Sequence, residues 1–222
     1  MNYKAPWITV EGVDGAGKSS HIEPIITLLK EAGFDVVSTR EPGGTPLCED
    51  LRQKILFTSM SLDTEVLLAF ASRAEHLNAV IRPALNKGSA VVCDRFTDST
   101  YAYQGCGFGY PVENIEHLEK MVQRGDQPDL TLVFDLPPEE SFRRLAKTEK
   151  NPDKFESQSL EFFADVRQGY LDRAAKDPSR VKVIDSRPSL EDVKKAVAHQ
   201  VKDFLEQWVA NLENTTRKRI HL

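Results

Sequence analysis

The stretch Gly12-Val13-Asp14-Gly15-Ala16-Gly17-Lys18-Ser19 constrains the fold of this chain more than any other. It follows an apolar, β-branched segment, Trp7 to Val10, and it precedes apolar residues at helical spacing from Ser20 to Leu29. A glycine-rich turn between a strand and a helix directs backbone N–H groups at an anion. We therefore predict a phosphate-binding loop from Gly12 to Ser20, in which Lys18 reaches the terminal phosphates of a nucleotide and the Ser19 hydroxyl binds magnesium.

Asp14 is the one residue of this loop that the phosphate-binding pattern does not require. A carboxylate that faced the phosphates of a nucleotide would be repelled by them. We expect Asp14 to face away from the phosphates and to accept a hydrogen bond from a hydroxyl group of a second substrate. The alternative is a solvated loop carboxylate without a ligand.

The composition excludes several classes of protein. The chain has 222 residues and a formal net charge of −5, which argues against binding of nucleic acid or of a membrane surface through a basic face. It contains no apolar run of membrane-spanning length, and its first six residues lack the apolar core of a signal peptide. The three cysteines lack metal-ligand spacing. These features predict a soluble, cytoplasmic protein with reduced thiols.

Buried strands alternate with helices along the chain, which predicts an α/β fold with a doubly wound parallel sheet of five strands and helices on both faces. Residues 1–214 are expected to form one domain. Residues 146–158 are polar, charged and interrupted by proline, and we expect them to form a mobile lid. The basic residues 215–222 are expected to be disordered. The strands are predicted over residues 7–10, 34–39, 90–93, 129–135 and 181–185, and the helices over 20–29, 47–57, 62–85, 112–123, 137–145, 159–176 and from 189 onward.

Four arginines, Arg40, Arg52, Arg73 and Arg95, lie near predicted loop ends or on helices that face one sheet edge. Transfer of a phosphoryl group between two phosphates needs such a set, since several negative charges must be neutralised while the substrates are held in line. Asp94 either holds magnesium through water or pairs with Arg95. Nearby aromatic residues, Phe70, Tyr101 and Tyr103, either belong to the core or stack on a base.

Five segments of the chain together resemble bacterial thymidylate kinases, collinearly from Trp7 to Trp208. The segments are Gly12 to Ser19, Arg40-Glu41-Pro42-Gly43-Gly44-Thr45, Phe70-Ala71-Ser72-Arg73, Asp94 to Ser99 with Ala102 to Gly105, and Pro128 to Leu132. The resemblance implies a nucleoside monophosphate kinase fold, transfer of phosphate from ATP to dTMP with magnesium, and a homodimer.

The resemblance also implies roles for individual residues. By position, Asp14 would accept the 3′-hydroxyl of the deoxyribose, and Arg95 and Arg52 would hold the dTMP phosphate. Ser186 to Pro188 would pass the adenine, with Arg144 over it. The remaining dTMP contacts would come from Glu41 near the acceptor phosphate, Arg73, Thr100 and Gln104 at the thymine edge, Tyr103 at the 2′ position of the sugar, and Phe70 as the aromatic neighbour of the base.

This chain departs from the family pattern at two points. The stacking aromatic residue usually stands four positions before the Arg73 equivalent, where this chain has Ala69 followed by Phe70. The family lid carries an arginine in a segment like Asp-Arg-x-Glu, whereas this chain has Asp153-Lys154-Phe155-Glu156. Lys154 is therefore the candidate catalytic cation of the lid, with Arg144 as the alternative.

Three other functions compete with this interpretation. One is a kinase for a different monophosphate, because a single methyl group separates thymine from uracil and is worth about 1–3 kcal/mol. Another is a GTPase-type switch, which is disfavoured because Asn86-Lys87 is followed by Gly88-Ser89 instead of the pattern that reads guanine. The third is a nucleotide-binding regulator with a catalytically weak lid.

Overall fold

The computed structural model describes residues 5–146 and 153–220. Within these ranges the strands are β1 (Trp7–Glu11), β2 (Val36–Arg40), β3 (Ala90–Asp94), β4 (Leu130–Asp135) and β5 (Val181–Asp185). The helices are α1 (Ser19–Glu31), α2 (Pro46–Phe57), α3 (Leu62–His76), α4 (Arg82–Lys87), α5 (Thr97–Thr100), α6 (Val112–Gln123), α7 (Pro138–Leu145), α8 (Leu160–Lys176) and α9 (Leu190–Ile220), with π-helical segments at Leu77–Ile81 and Tyr101–Gly107. No helix in these ranges is both long and apolar enough to cross a membrane.

The strands form one parallel sheet in the order β2-β3-β1-β4-β5, which confirms the predicted α/β fold. All five residues of β1 are buried, as expected for a central strand covered by helices on both faces. β1 lies between β3 and β4, so the order of strands reverses at β1. Ligands bind at the carboxyl edge of such a sheet beside the reversal, and the predicted phosphate loop begins at that point.

Two predicted elements differ from the structure. The helix expected over residues 62–85 is interrupted by the π-helical segment Leu77–Ile81, and α4 then begins one residue before Pro83. Proline has no backbone N–H, so the regular hydrogen-bond ladder cannot continue through it. The tail expected to be disordered from residue 215 is helical as far as Ile220, because α9 contains no glycine or proline that would end it.

Glu11, the last residue of β1, is fully buried and joins three parts of the fold. Its carboxyl group accepts hydrogen bonds from the backbone N–H of Phe96 (2.6 Å), the Ser99 hydroxyl (2.6 Å) and the Tyr170 hydroxyl (3.0 Å). Burial, reinforced by the nearby Asp98 carboxylate, raises the pKa of Glu11 to about 7. The Glu11 side chain thereby fixes α8 and the residues after β3 against the start of the phosphate loop.

The raised pKa of Glu11 predicts how stability depends on pH. The folded protein holds this proton more tightly than the unfolded chain, so the stabilisation is present at low pH and is lost as the pH rises through 7. Relative to Glu11→Gln, we expect the free energy of unfolding of the unmodified protein to fall by about 3 kcal/mol between pH 5 and pH 8. Urea denaturation of both proteins measures this difference, and a difference that does not change with pH would contradict the prediction.

Candidate active site

The loop after β1 has the backbone of an anion site. Gly12 has a φ of +135°, and a Cβ atom placed there would lie 2.5 Å from the carbonyl oxygen of Phe134. Gly15 and Gly17 also have positive φ values, of 79° and 89°. Only glycine adopts these conformations without strain, and they wrap the loop around the N-terminus of α1. The local sequence therefore dictates the predicted glycine turn between β1 and α1, and binding of phosphate groups there stays a prediction.

Lys18 lies at the end of this loop with its ammonium group buried. The Nζ atom donates hydrogen bonds to the carbonyl oxygens of Gly12 (2.9 Å) and Val13 (3.0 Å). Burial, together with the charge of Arg95, lowers the pKa of Lys18 to about 8. A phosphate group bound in the loop would favour the charged form of Lys18, since an opposite charge raises the pKa of an ammonium.

The ion pair between Asp14 and Arg95 joins the phosphate loop to the end of β3. One guanidinium nitrogen of Arg95 lies 2.5 Å from Asp14 Oδ1, and the Tyr103 hydroxyl donates to Asp14 Oδ2 at 2.9 Å. Burial opposes ionisation of Asp14, but the charges of Arg95 and Lys18 outweigh it and lower the pKa of Asp14 to about 2. Arg95 has a φ of 69°, which is unusual for a residue other than glycine and occurs at many functional sites.

Two cavities meet at this ion pair. The phosphate cavity is lined by the loop, α1, Asp94 and Arg144, and the acceptor cavity is lined by parts of α2, α3 and the segment from Phe96 to Gln104. Four charged residues line both of them, namely Asp14, Glu41, Arg52 and Arg95. The two cavities are therefore adjacent and share these charged side chains.

A buried polar cluster forms the far wall of the acceptor cavity. Glu41 accepts a hydrogen bond from Arg73 Nε (2.8 Å) and another from His76 Nδ1 (2.9 Å). Both terminal guanidinium nitrogens of Arg73 lie 3.2 Å from the Thr100 hydroxyl. His76 in turn bonds the Thr39 hydroxyl through Nε2 at 2.7 Å. The cluster holds the Arg73 guanidinium rigidly against the cavity, which suits recognition of a planar polar group.

Phe70 does not occupy the position that the sequence suggested for it. The described residues that line the acceptor cavity include Ala69, Phe155 and Phe96, the last of which is also buried in a core cluster with Trp7. Phe70 packs against Val66 and is not among them. Successive residues of a helix point about 100° apart, so the shift of the aromatic residue by one position turns it away from the cavity. Phe96 was missed in the sequence analysis, although its place directly after Arg95 at a strand end is a signal for it.

The geometry separates the two roles considered for Asp94. The guanidinium of Arg95 bonds Asp14, and Asp94 Oδ1 is buried without a hydrogen-bond partner among the residues that the structure describes. Asp94 lines the phosphate cavity together with Ser19. A buried carboxylate oxygen that lacks a partner is costly, so this arrangement favours a bound cation or water over an ion pair with Arg95.

The two candidate lid cations lie in different places. Arg144 lines the phosphate cavity and donates hydrogen bonds to the carbonyl oxygens of Gly15 (3.4 Å) and Ser186 (2.8 Å). Lys154 is paired with Glu65, with Nζ 2.6 Å from Oε2, and lies outside the set of described residues that line the phosphate cavity. Residues 147–152 of the predicted lid fall outside the described residues. A catalytic role for Lys154 stays a prediction that requires this ion pair to open.

A family model and several known proteins with similar sequences indicate the same family. Residues 10–197 match the family model described as thymidylate kinase. The chain is 52% identical over 198 residues to the thymidylate kinase of Methylobacillus flagellatus, covering 89% of this chain and 97% of that protein. It is 50% identical over 204 residues to the thymidylate kinase of Pseudomonas putida, covering 90% and 98% of the two chains.

A solved structure agrees with these sequence comparisons. The crystal structure of the thymidylate kinase from Ehrlichia chaffeensis superposes with a TM-score of 0.73 at 33% sequence identity, and the match covers 89% of this chain and 98% of that one. These similarities indicate one family. The phosphate loop and the arginine-lined junction of the two cavities fit that family. The chain therefore belongs to the thymidylate kinase family of nucleoside monophosphate kinases, the phosphotransferases that convert dTMP to dTDP with ATP as donor.

Proposed function

We propose that this chain transfers the terminal phosphoryl group of magnesium-bound ATP in line to the phosphate of dTMP where its two cavities meet. The observation that carries the proposal is the set of four charged residues that line both cavities. Two of them, Arg52 and Arg95, are cations that can neutralise the phosphates of both substrates, and Arg95 is anchored to the phosphate loop itself. Catalysis of phosphoryl transfer depends mainly on such positioning and charge stabilisation.

On the donor side, the backbone of residues 12–20 would hold the β- and γ-phosphates and Lys18 would reach the terminal one. The hydrogen bond from Arg144 to the carbonyl oxygen of Ser186 places that arginine beside the loop that follows β5. We propose that the adenine lies beside this loop, residues 186–188. Arg144 would lie over the adenine, with its charge directed at the phosphates.

Magnesium would bind between the Ser19 hydroxyl and Asp94. The buried, unpartnered Oδ1 of Asp94 fits this ion, and both residues line the phosphate cavity. The described residues contain no group of three His, Cys, Asp or Glu side chains that could bind a metal by themselves. Most ligands of the ion would therefore come from ATP phosphates and water, as is usual for magnesium in kinases. The bound ion neutralises the charge that develops on the phosphates.

On the acceptor side, we propose that Asp14 accepts a hydrogen bond from the 3′-hydroxyl of dTMP and that Arg95 and Arg52 hold its phosphate. Glu41 lies at the same junction, where it would position Arg73 and water near the acceptor phosphate. The other contacts that we propose are Arg73, Thr100 and Gln104 at the thymine edge, Tyr103 against the sugar, and Phe96 in place of Phe70 as the aromatic neighbour of the base.

We further propose a homodimer and a cytoplasmic location. Phe57 of α2 and Leu67 of α3 are large apolar side chains that are 62% and 55% exposed, and burial of such side chains between subunits would be favourable. The free thiols of Cys48, Cys93 and Cys106 suit a reducing compartment.

A lid over residues 146–158 would close on the bound nucleotides.

An acceptor series tests the proposed reaction. We expect rapid ADP release from magnesium-ATP with dTMP, and release with dUMP that is slower by about tenfold to 200-fold, because a single methyl group separates the two bases. UMP, CMP and AMP should give little release. A coupled assay of ADP measures the rates. ADP release without any acceptor, or faster release with another monophosphate, would contradict the proposal, and dTMP binding without turnover would favour the regulator.

A second comparison identifies the cation that stabilises the transferred phosphoryl group. We expect Arg144→Ala to lower kcat by about a thousandfold, the effect typical of an arginine on a phosphoryl group in transfer, because Arg144 already lines the phosphate cavity. Arg144 is also ion-paired, with Glu140 at 3.2 Å, so the pairing of Lys154 with Glu65 does not by itself separate the two cations. Lys154→Ala should lower kcat by no more than about tenfold, because Lys154 lies outside the set of described residues that line the phosphate cavity. Steady-state kinetics at saturating dTMP decide the matter, and the opposite order of effects would assign the catalytic charge to Lys154.

A further inference from the structure

Glu65 is a buried acid of α3 that lies beside the acceptor cavity but has no role in the proposed reaction. Its side chain is 6% exposed. Oε1 accepts a hydrogen bond from the Gln104 side-chain nitrogen at 2.7 Å, and Oε2 lies 2.6 Å from the Lys154 ammonium. One carboxylate therefore contacts a residue of the cavity wall and a residue of the lid segment, and burial makes both contacts strong.

The contact with Glu65 determines which way the Gln104 amide points. An ionised carboxylate offers only hydrogen-bond acceptors, so the NH₂ group of Gln104 has to face it. The amide carbonyl oxygen then belongs to the other arm of the side chain and is left for a donor in the acceptor cavity, which Gln104 lines. Lys154 supplies the counter-charge without which a buried carboxylate would be unfavourable.

Thymine and cytosine interact in opposite ways with a carbonyl oxygen placed at N3. Thymine carries an N–H at N3, which can donate to that oxygen. Cytosine has a bare nitrogen at N3, and two facing acceptors repel each other and stay unpaired, which is costly in a buried site. A Gln104 amide that could turn freely would accept either base, because its NH₂ group can pair with the cytosine nitrogen.

We infer that Glu65 is a positioning residue for base selection. It holds the Gln104 amide with its carbonyl oxygen available to the base, and the cavity thereby selects a pyrimidine with a proton at N3. This inference rests on the proposed function, in which Gln104 meets the thymine edge. A purely structural ion pair between Glu65 and Lys154 would affect stability without affecting the choice of base.

Substitution of Glu65 by Gln tests the inference, with dTMP and 5-methyl-dCMP as acceptors. The two nucleotides share the methyl group and the sugar and differ only at N3 and at position 4. Glutamine presents a donor and an acceptor, so it no longer fixes the Gln104 amide. We expect Glu65→Gln to lower the ratio of kcat/KM for dTMP to that for 5-methyl-dCMP about tenfold, mainly through a higher KM for dTMP.

Three further variants make the test specific. Glu75→Gln, the same change at a partly exposed position of the same helix, should leave the ratio unchanged. Glu65→Asp retains an acceptor-only carboxylate and should retain most of the selectivity. Glu65→Ala removes the acceptor and should lower the ratio as Glu65→Gln does, so that the inference can be judged from either variant if one fails to fold. Thermal unfolding of each variant reports on folding.

A double substitution shows whether Glu65 acts through Gln104. In a Gln104→Ala background, Glu65→Gln should not change the ratio further. The inference is overturned if folded Glu65→Gln and Glu65→Ala keep the selectivity of the unmodified protein, or if Glu65→Gln changes the ratio equally in both backgrounds. Failure of the unmodified protein to phosphorylate dTMP would instead refute the proposed function, so the two failures are distinguishable.

Discussion

The ion pair between Asp14 and Arg95 is the interaction on which the active site depends. It connects the phosphate loop after β1 to the end of β3, and these strands are neighbours in the sheet. Arg95 also donates a hydrogen bond to the carbonyl oxygen of Gly12 at 3.0 Å, so the guanidinium is held by the loop at two points. Arg95 has a strained backbone with a positive φ. These contacts hold it in place, together with the hydrogen bond that the backbone N–H of the next residue, Phe96, donates to Glu11.

The site also depends on buried carboxylates that are each satisfied by several donors. Glu41 bonds Arg73 and His76, Glu65 bonds Gln104 and Lys154, and Asp98 bonds Arg173 and Arg180. Removal of charge from water is costly, and such groups are tolerated only where opposite charges and hydrogen bonds compensate for it. Of these carboxylates Glu41 lines both cavities, where its bonds to Arg73 and His76 fix the directions of polar atoms, which is a condition for selective recognition.

Several features of the protein could be predicted from local sequence. The alternation of buried strands and helices predicted the parallel sheet, and the glycine spacing predicted the phosphate loop, because both depend on residues close together in the chain. The position of Asp94 and Arg95 at the end of a strand indicated that they belong to the candidate site, since the carboxyl ends of parallel strands lie at one edge of the sheet. The π-helical segments were not predicted, because apolar spacing does not distinguish a regular helix from one with an extra residue per turn.

The sequence by itself therefore determined the sheet, the phosphate loop and the family of this protein. Tertiary structure alone decided which side chains meet. Phe70 packs against Val66, the buried Phe96 contributes to the wall of the acceptor cavity, Lys154 pairs with Glu65, and Arg144 lines the phosphate cavity. The physical reason is that strand and helix formation depend on neighbouring residues, whereas the contact of Lys154 with Glu65 joins residues 89 positions apart and that of Arg144 with Gly15 joins residues 129 positions apart. Their geometry is set by how whole elements pack, which no local pattern encodes.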